Sequence, residues 1–459
     1  MHYIFYDTET TGLSNAFDQI LQFAAIVTDE SFTVVEEINL RGRLRPFVLP
    51  SPGAMAVTGI GPQAIKSAPL SHYELICAIR SVIERYTPSY LIGYNSIGFD
   101  EGMLRSAFYQ TLHPTYLTQL NGNARLDVMR LAHAVAEHEP DALNVPLNDA
   151  GKPSFKLGPL AEANGIPLNN AHDALADTRA TLSLATLLKA KAPSVWDMLI
   201  AARNKRSVQS LIKDFPIMVT TDQRYGSKTI VGVPFAINPE NDAEVAVFDL
   251  HHNPSDYLDI DEDGVRRLLS GTPRVVRTLR MNQLPILRVA TVSDFQGVSG
   301  AEMEARRTTL LSADAVRLGV AQGMSAKYAD APPAEHIEQQ IFDGFPSRKD
   351  QRTFESFHQA DWSHKAQLTE AFDDPKYEEF ARRIMLENAP ELLPTNVRKQ
   401  LEADANERMW REDGPPWTTV TQARQELEKM IRDGENSSEL IDEMSIWLDA
   451  LENRTLRKS

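Results

Sequence analysis

Asp7 and Glu9 are the first residues in the chain whose types and spacing could do chemistry. They lie at the end of Tyr3 to Thr8, an aromatic and β-branched run that reads as a strand. Side chains alternate along a strand, so both carboxylates project to the same face. Such a pair is half of a site for a hard divalent cation, which takes oxygen ligands; it is also commonplace at exposed strand ends. Asp100 supplies a further acid. It follows Gly93-Tyr94-Asn95 and opens a helix reading over Phe99 to Gln110, at the carboxyl edge of the sheet where open α/β folds place their ligands. The stretch His172-Asp173-Ala-Leu-Ala-Asp177 begins another helix, with Asp173 as N-cap, His172 just outside and Asp177 in the first turns. On a continuous helix His172 and Asp177 would be about 140° apart, so they share a site only if His172 lies on the loop. Alone, His172 is more often a loop histidine than a base, and Asp177 more often a first-turn acid stabilising the helix dipole.

These residues need a scaffold, and the apolar periods supply one. Ile20 to Val27 is a second strand reading, and Thr33 to Phe47 holds a third. Leu75, Ile76, Ile79, Val82, Ile83 and Tyr86 then recur at helical spacing between Ser71, an N-cap, and Pro88. Tyr90 to Tyr94 returns to strand. The last helix of this region runs from near Asp173 to just before Pro193, with Leu175, Leu182, Ala185 and Leu188 on its apolar stripe. Three early strands followed by alternating helices and strands predict a mixed α/β sheet with helices packed on it. From about 195 to 340 short β-rich runs, Thr229 to Phe235, Glu244 to Leu250 and Pro285 to Val292, are separated by turn residues and suggest a small barrel or sandwich. Ala331-Pro332-Pro333 marks a joint, and beyond about 350 only helical periods follow.

The 459 residues are enough for two or three domains, and 42% apolar with 24% charged residues describes a folded, soluble protein. Cys77 is the single cysteine, which rules out an intrachain disulfide and points to a reducing cytoplasm. No apolar run approaches the roughly 20 residues of a membrane helix, and Asp7 and Glu9 interrupt any signal-peptide core. The net charge of −16 argues against coating nucleic acid by bulk electrostatics, so any such contact must be local. The segment Val265 to Arg288 holds Arg266, Arg267, Arg274, Arg277, Arg280 and Arg288 and no acid. It reads equally as a solvated face or a phosphate-facing groove.

In order and spacing, Asp7-x-Glu9, Asn95-x3-Phe99-Asp100 and His172-x4-Asp177 resemble the three motifs of the DEDD superfamily of 3′→5′ exonucleases, in its histidine branch. Further stretches, including Gln22-Phe-Ala-Ala-Ile26, Pro52-Gly-Ala-Met-Ala-Val-Thr-Gly-Ile60, Asp127-Val-Met-Arg130, Pro153-Ser-Phe-Lys156 and Gln340-Ile-Phe-Asp-Gly-Phe345, extend the resemblance to the bacterial exodeoxyribonuclease I family. The first motif departs from that family, which usually has an aromatic residue between the two acids.

The resemblance implies a ribonuclease H-like mixed-sheet exonuclease domain over 1–193, an SH3-like β domain over 194–343 and an all-helical domain over 344–459. It further implies processive hydrolysis of single-stranded DNA from a free 3′ end to 5′-mononucleotides, in DNA repair and recombination. Two Mg²⁺ ions are expected, with Mn²⁺ able to substitute. Asp7 would bridge the metals, Glu9 and Asp177 would hold the ion carrying the attacking water, Asp100 would serve the second ion, and His172 would be the general base. Glu9, Thr10, Arg105, Tyr116, Arg130, Lys156 and Lys205 are the substrate-binding candidates. A cytoplasmic monomer is expected, recruited by single-strand-binding protein through its acidic C-terminal tail. An RNA 3′ exonuclease shares all five catalytic residues, and a non-enzymatic nucleic-acid clamp is the remaining alternative.

Overall fold

The computed structural model describes residues 1–167, 173–222, 228–329, 333–434 and 438–456; His172 therefore lies outside the described residues. The chain forms two compact units. One comprises Met1–Asn123, Leu168–Ala180 and Ala334–Ser459, the other Ala124–Pro167 and Thr181–Pro333.

In the first unit, strands β1 (His2–Thr10), β2 (Ile20–Thr28), β3 (Val34–Arg41) and β4 (Ser89–Gly93) lie in the order β3-β2-β1-β4. β1 is antiparallel to β2 and parallel to β4, which is the mixed sheet that the strand-helix alternation predicts. Both β1 and β2 are central strands, buried along nearly their whole length. Ile4 and Tyr6 of β1 pack with Ile76, Ile79 and Ile83 of the helix His72–Arg85 and with Leu104 and Phe108 of the helix Asp100–Gln110. The helix His72–Arg85 begins where the sequence places it. Ser71 accepts from the Glu74 amide, and Glu74 returns a carboxylate to the Ser71 amide.

The C-terminal helices of this unit close over the same framework. Val420, Leu427, Met430, Met444 and Leu448 pack against Leu21, Met55, Ile60 and Ile65. Three successive helix starts in the N-terminal part each receive a carboxylate from these helices: the Gly53 amide donates to Glu426 Oε1 at 3.2 Å, the Gln63 amide to Glu443, and the His72 amide to Glu387 Oε1 at 2.6 Å. An acid there satisfies an otherwise orphaned amide and meets the positive end of the helix dipole. Glu338, almost fully buried, binds Arg383 at 2.8 Å and Arg408 at 2.5 Å. Burial alone would raise its carboxyl, but the two guanidiniums outweigh it and bring it down to about 2.

The second unit contains β5 (Ala124–Asp127) and the strands β6 (Met218–Asp222), β7 (Lys228–Ile237), β8 (Glu244–Asp249), β9 (Val276–Arg280) and β10 (Ile286–Val289). β6 to β10 form an antiparallel sheet in the order β10-β6-β7-β8-β9. Val231, Val233 and Phe248 on one face pack with Leu268, Met303, Leu310 and Val320, carried by helices Glu262–Ser270, Gly300–Ser312 and Asp314–Ala329. Met218, Ile230, Val245 and Val247 on the other face pack with Val208 of the helix Lys205–Asp214. The β-rich runs are strands as expected, and the helices that cover them are the addition. Acids close at hand claim four of the six arginines of the basic run: Arg266–Asp263 at 3.0 Å, Arg267–Asp261 at 3.9 Å, Arg280–Glu244 at 3.2 Å and Arg288–Asp294 at 2.6 Å.

Gly93 ends β4 beside β1, and a Cβ there would stand 2.5 Å from Ser96 Cβ and 3.1 Å from the Tyr6 carbonyl oxygen, immediately before Asp7. Gly93→Ala is expected to lower stability by about 1–3 kcal/mol, the usual cost of overpacking. The measurement is urea unfolding, with a lower midpoint at an unchanged m value.

Candidate active site

β1 delivers Asp7 and Glu9 to one face, and β2 fixes their register, with Asp7 opposite Ala24 and Glu9 opposite Gln22. The pairing slips between Glu9 and Thr10, so the strand is bulged directly after the second acid. The loop that follows is bound by Asp18, whose carboxylate accepts from the Thr11 hydroxyl at 2.7 Å and the Ser14 amide at 2.9 Å. Asp177 arrives on the helix Ala174–Lys191. Asp173 caps that helix as the sequence predicts, accepting from the amides of Leu175 at 3.1 Å and Ala176 at 3.2 Å. The helix start is tied to β3 by ion pairs, Arg41–Asp173 at 3.5 Å and Arg179–Glu37 at 2.7 Å.

Asp7, Glu9 and Asp177 offer carboxylate oxygens that all lie within 4.8 Å of one another. Asp100 is buried beside them, and its Oδ1 accepts from both the Thr8 amide, at 3.1 Å, and the Thr8 hydroxyl, at 2.6 Å. The residue between the two strand acids thus orients the third element's acid. Sequence reasoning missed Thr8; its signal is a hydroxyl residue between two acids at a strand end.

The electrostatics follow from this crowding. Burial, followed by the charges of Asp100, Glu9, Asp177 and Asp173, pushes the Asp7 carboxyl well above the ordinary carboxylate range. Burial, then Asp177, Asp100 and Asp173, pushes Glu9 up to about 8. Clustered oxygens that resist carrying their full negative charge together are the donor set a hard divalent cation accepts, so these residues fit such an ion.

A second group, Cys77, His113 and His358, also has ligating atoms within 4.8 Å of one another. Its two imidazoles are stacked, centroids 3.8 Å apart and planes 10° from parallel, so their in-plane lone pairs cannot converge on one ion. His113 Nδ1 meets Arg80 at 3.2 Å, while His358 meets the Tyr73 hydroxyl and the Leu112 carbonyl, each at 2.9 Å. Burial lowers both imidazoles, His358 to about 4. This is a packing cluster.

The other sequence candidates fall in two places. In the first unit, the Arg105 guanidinium lies over the Tyr116 ring, 5.1 Å from its centroid, and the Thr10 hydroxyl donates to the Gly12 carbonyl at 2.8 Å. In the second, Arg130 donates to the Gln283 carbonyl at 2.5 Å, Lys205 pairs with Asp242, and Lys156 is exposed at the start of the helix Leu157–Ala163.

A mixed sheet carrying four clustered acids at the end of its first strand defines a nuclease of the exonuclease class. The exonuclease family model matches residues 4–185, and the model described as the exonuclease I C-terminal domain matches residues 335–451. Exodeoxyribonuclease I of Escherichia coli K12 is 30% identical over 418 residues, covering 85% of this chain and 86% of that protein. The Haemophilus influenzae exodeoxyribonuclease I is 31% identical over 307 residues, covering 63% of this chain and 64% of that one. Among solved structures, E. coli exonuclease I in complex with a dT13 oligonucleotide superposes with a TM-score of 0.84 at 27% identity, covering 99% of both chains. The zinc-bound form of the E. coli exonuclease I complex with single-stranded DNA gives 0.85 at 26%, covering 98% of this chain and 99% of that chain. The chain belongs to the exodeoxyribonuclease I family.

Thr8→Val keeps the side-chain volume and removes the hydroxyl bound to Asp100. It is expected to weaken divalent-cation affinity or activity by roughly 10- to 100-fold, as loss of a group that orients a metal ligand does. A Mn²⁺ titration of wild type and variant checks this.

Proposed function

We propose that this protein is a processive 3′→5′ exonuclease that hydrolyses single-stranded DNA from a free 3′ end to 5′-mononucleotides. The observation that carries the reading is the carboxylate cluster of Asp7, Glu9 and Asp177 with Asp100 oriented beside it. These four residues would hold divalent cations, Mg²⁺ in our reading with Mn²⁺ as a substitute, which when bound supply charge neutralisation at the scissile phosphate and a more acidic water. Asp7, Glu9 and Asp177 present their oxygens from the β1 edge and the helix start, while Thr8 fixes the rotamer of Asp100. His172, one residue before the Asp173 cap, would take the proton of the attacking water on an imidazole nitrogen. An imidazole of ordinary pKa is mostly neutral at pH 7 to 8 and can accept it.

Thr10 would meet the terminal nucleotide through its amide, its hydroxyl being engaged with Gly12. Arg105 and Tyr116 would receive the strand together, the ring stacking a base beside the guanidinium. Arg130, Lys156 and Lys205 would bind phosphates of the strand. The domain division 1–193, 194–343 and 344–459 is supported by the two family matches at either end and by the antiparallel sheet between them.

The finer biological reading is a cytoplasmic monomer acting in DNA repair and recombination. Recruitment by the acidic tail of single-strand-binding protein is supported by a cavity of about 100 Å³ in the second unit. Arg130, Arg277 and Arg280 line it, Arg280 together with its partner Glu244, on a chain of net charge −16.

The test is parallel digestion of 5′-labelled single-stranded DNA, duplex DNA and RNA, with Mg²⁺ and with EDTA. Single-stranded DNA should be shortened from its 3′ end with Mg²⁺ only. Asp177→Ala should abolish hydrolysis while leaving DNA binding measurable, and His172→Ala should slow it by roughly 10² to 10⁴-fold. Near-normal turnover by Asp177→Ala would overturn the site.

A further inference from the structure

A second gathering of charge in the first unit has no part in the catalytic account. Arg45, Arg383 and Arg408 line one cavity of about 20 Å³ together with Glu338 and Glu387. Glu338 sets its charge against Arg383 and Arg408, and Arg383 turns its Nε to the part-exposed Glu379 at 2.8 Å. Those two arginines are paired. Arg45 is not: its Nη1 donates to the neutral amide oxygen of Gln110 at 2.7 Å, and no ion pair among the described residues engages it. Gln110 is fully committed, since its Nε2 donates to the Ala16 carbonyl at 2.8 Å.

Burial makes the Arg45 charge costly. It pulls the guanidinium down to about 10, with repulsion from Arg408 and Arg383 adding to the effect and attraction to Glu387 and Glu338 opposing it. At neutral pH the group remains a cation all the same. The Glu387 carboxylate is already taken by the His72 amide at 2.6 Å, and burial pushes it up to about 7, so near neutral pH it carries only part of a charge. The His72 imidazole, held well below its ordinary range by burial and by Arg45, adds none. A buried cation without a matching anion is strongly destabilising.

Two donors on the cavity wall are also left over. Arg45 Nε and Arg408 Nε are both buried, and neither has a hydrogen-bond partner. Aromatic rings cover the neighbouring guanidinium faces, Trp417 against Arg408 at 4.2 Å and Phe47 against Arg383 at 4.8 Å, so only the guanidinium edges remain for a ligand. These groups call for an acceptor that is negative and small. A cavity of this size holds one water-sized particle, which a chloride ion nearly matches and a phosphate or carboxylate group exceeds. A water would satisfy the two N–H groups and leave the Arg45 charge uncompensated.

We propose that this cavity is a structural site for one monatomic anion, chloride being the physiological case, held by the Nε–H groups of Arg45 and Arg408. The ion would join the segment after β3 and the end of the helix Asp100–Gln110 to the helices Pro375–Asn388 and Thr395–Trp410. It adds an ionic tie to the framework under the catalytic edge, and it is independent of the reaction the protein catalyses.

The experiment uses the full chain without DNA, in EDTA, at constant ionic strength as chloride replaces methanesulfonate, an anion too large for the cavity. The wild-type Tm should rise with log chloride, each tenfold increase above the dissociation constant lowering the unfolding equilibrium constant about tenfold. Bromide should act as chloride does. Arg45→Met keeps an apolar stem and removes the charge, and its Tm should be indifferent to the exchange. Should that variant not fold, wild-type crystals grown in bromide decide the matter alone: anomalous scattering should place one bromide between Arg45 and Arg408. A wild-type Tm that ignores the exchange, or bromide crystals without an anomalous peak in the cavity, would overturn the proposal and leave the site to a water. A chloride response that persists unchanged in Arg45→Met would overturn it as well, because the anion would then bind elsewhere.

Discussion

Mutual repulsion among the carboxylates at the end of β1 is the constraint that the surrounding structure serves. Asp7, Glu9 and Asp177 place oxygens within 4.8 Å of one another, with Asp100 and Asp173 close enough to act on them. At an effective dielectric of 20, each ionised pair at such a separation costs on the order of 3 kcal/mol. A flexible site would let these side chains rotate apart. Here the β2 register, the bulge after Glu9, the Thr8 bonds to Asp100 and the Arg41–Asp173 pair hold them together. The conflict is therefore preorganised for a cation, and the ions a nuclease needs find their charge already gathered.

Rigid placement depends on residues far away in the chain. The helices at 52–58, 62–67 and 72–85 carry their N-termini toward Glu426, Glu443 and Glu387, all contributed by the C-terminal segment. Small residues permit this approach: a Cβ on Gly61 would stand 2.5 Å from Glu443 Oε2, and one on Gly53 2.6 Å from Glu426 Oε1. The buried Glu338 with Arg383 and Arg408 adds a contact that tolerates little change of register, because either partner alone would leave a buried charge. The C-terminal helices thus form part of the framework that supports the catalytic edge.

Much of the site was legible because it is local. Strand alternation put Asp7 and Glu9 on one face, the Ser71 cap and its apolar period marked the helix that packs under β1, and Asp173 was recognisable as the cap that brings Asp177 in. The bond from Thr8 to Asp100 joins residues 92 positions apart, so the local pattern offers the hydroxyl between the two acids but not the partner it binds. The same holds for the carboxylates at the three helix starts, where Gly53, Gln63 and His72 meet partners more than 300 positions away. The arginines between Val265 and Arg288 were ambiguous for a related reason. Their neutralising acids, Asp261, Asp263, Glu244 and Asp294, lie just outside the run or on an adjoining strand. The cavity between Arg45 and Arg408 likewise draws on distant segments that only folding joins.

Thermal unfolding of the metal-free protein in EDTA, wild type beside Asp7→Asn from pH 5 to pH 9, tests the central claim most directly. Burial and the neighbouring carboxylates raise the Asp7 and Glu9 carboxyls in the folded state, so the site's contribution to stability is present at low pH. It is lost as pH rises from the ordinary carboxylate range through about 8. The predicted result is a Tm that falls more steeply for the wild type, so that the advantage of Asp7→Asn widens with pH. Replacing EDTA by excess Mg²⁺ should then raise the wild-type Tm far more than that of the variant. Parallel curves in EDTA, with the same response to Mg²⁺, would contradict the claim that a gathered negative charge awaits a cation at this edge of the sheet.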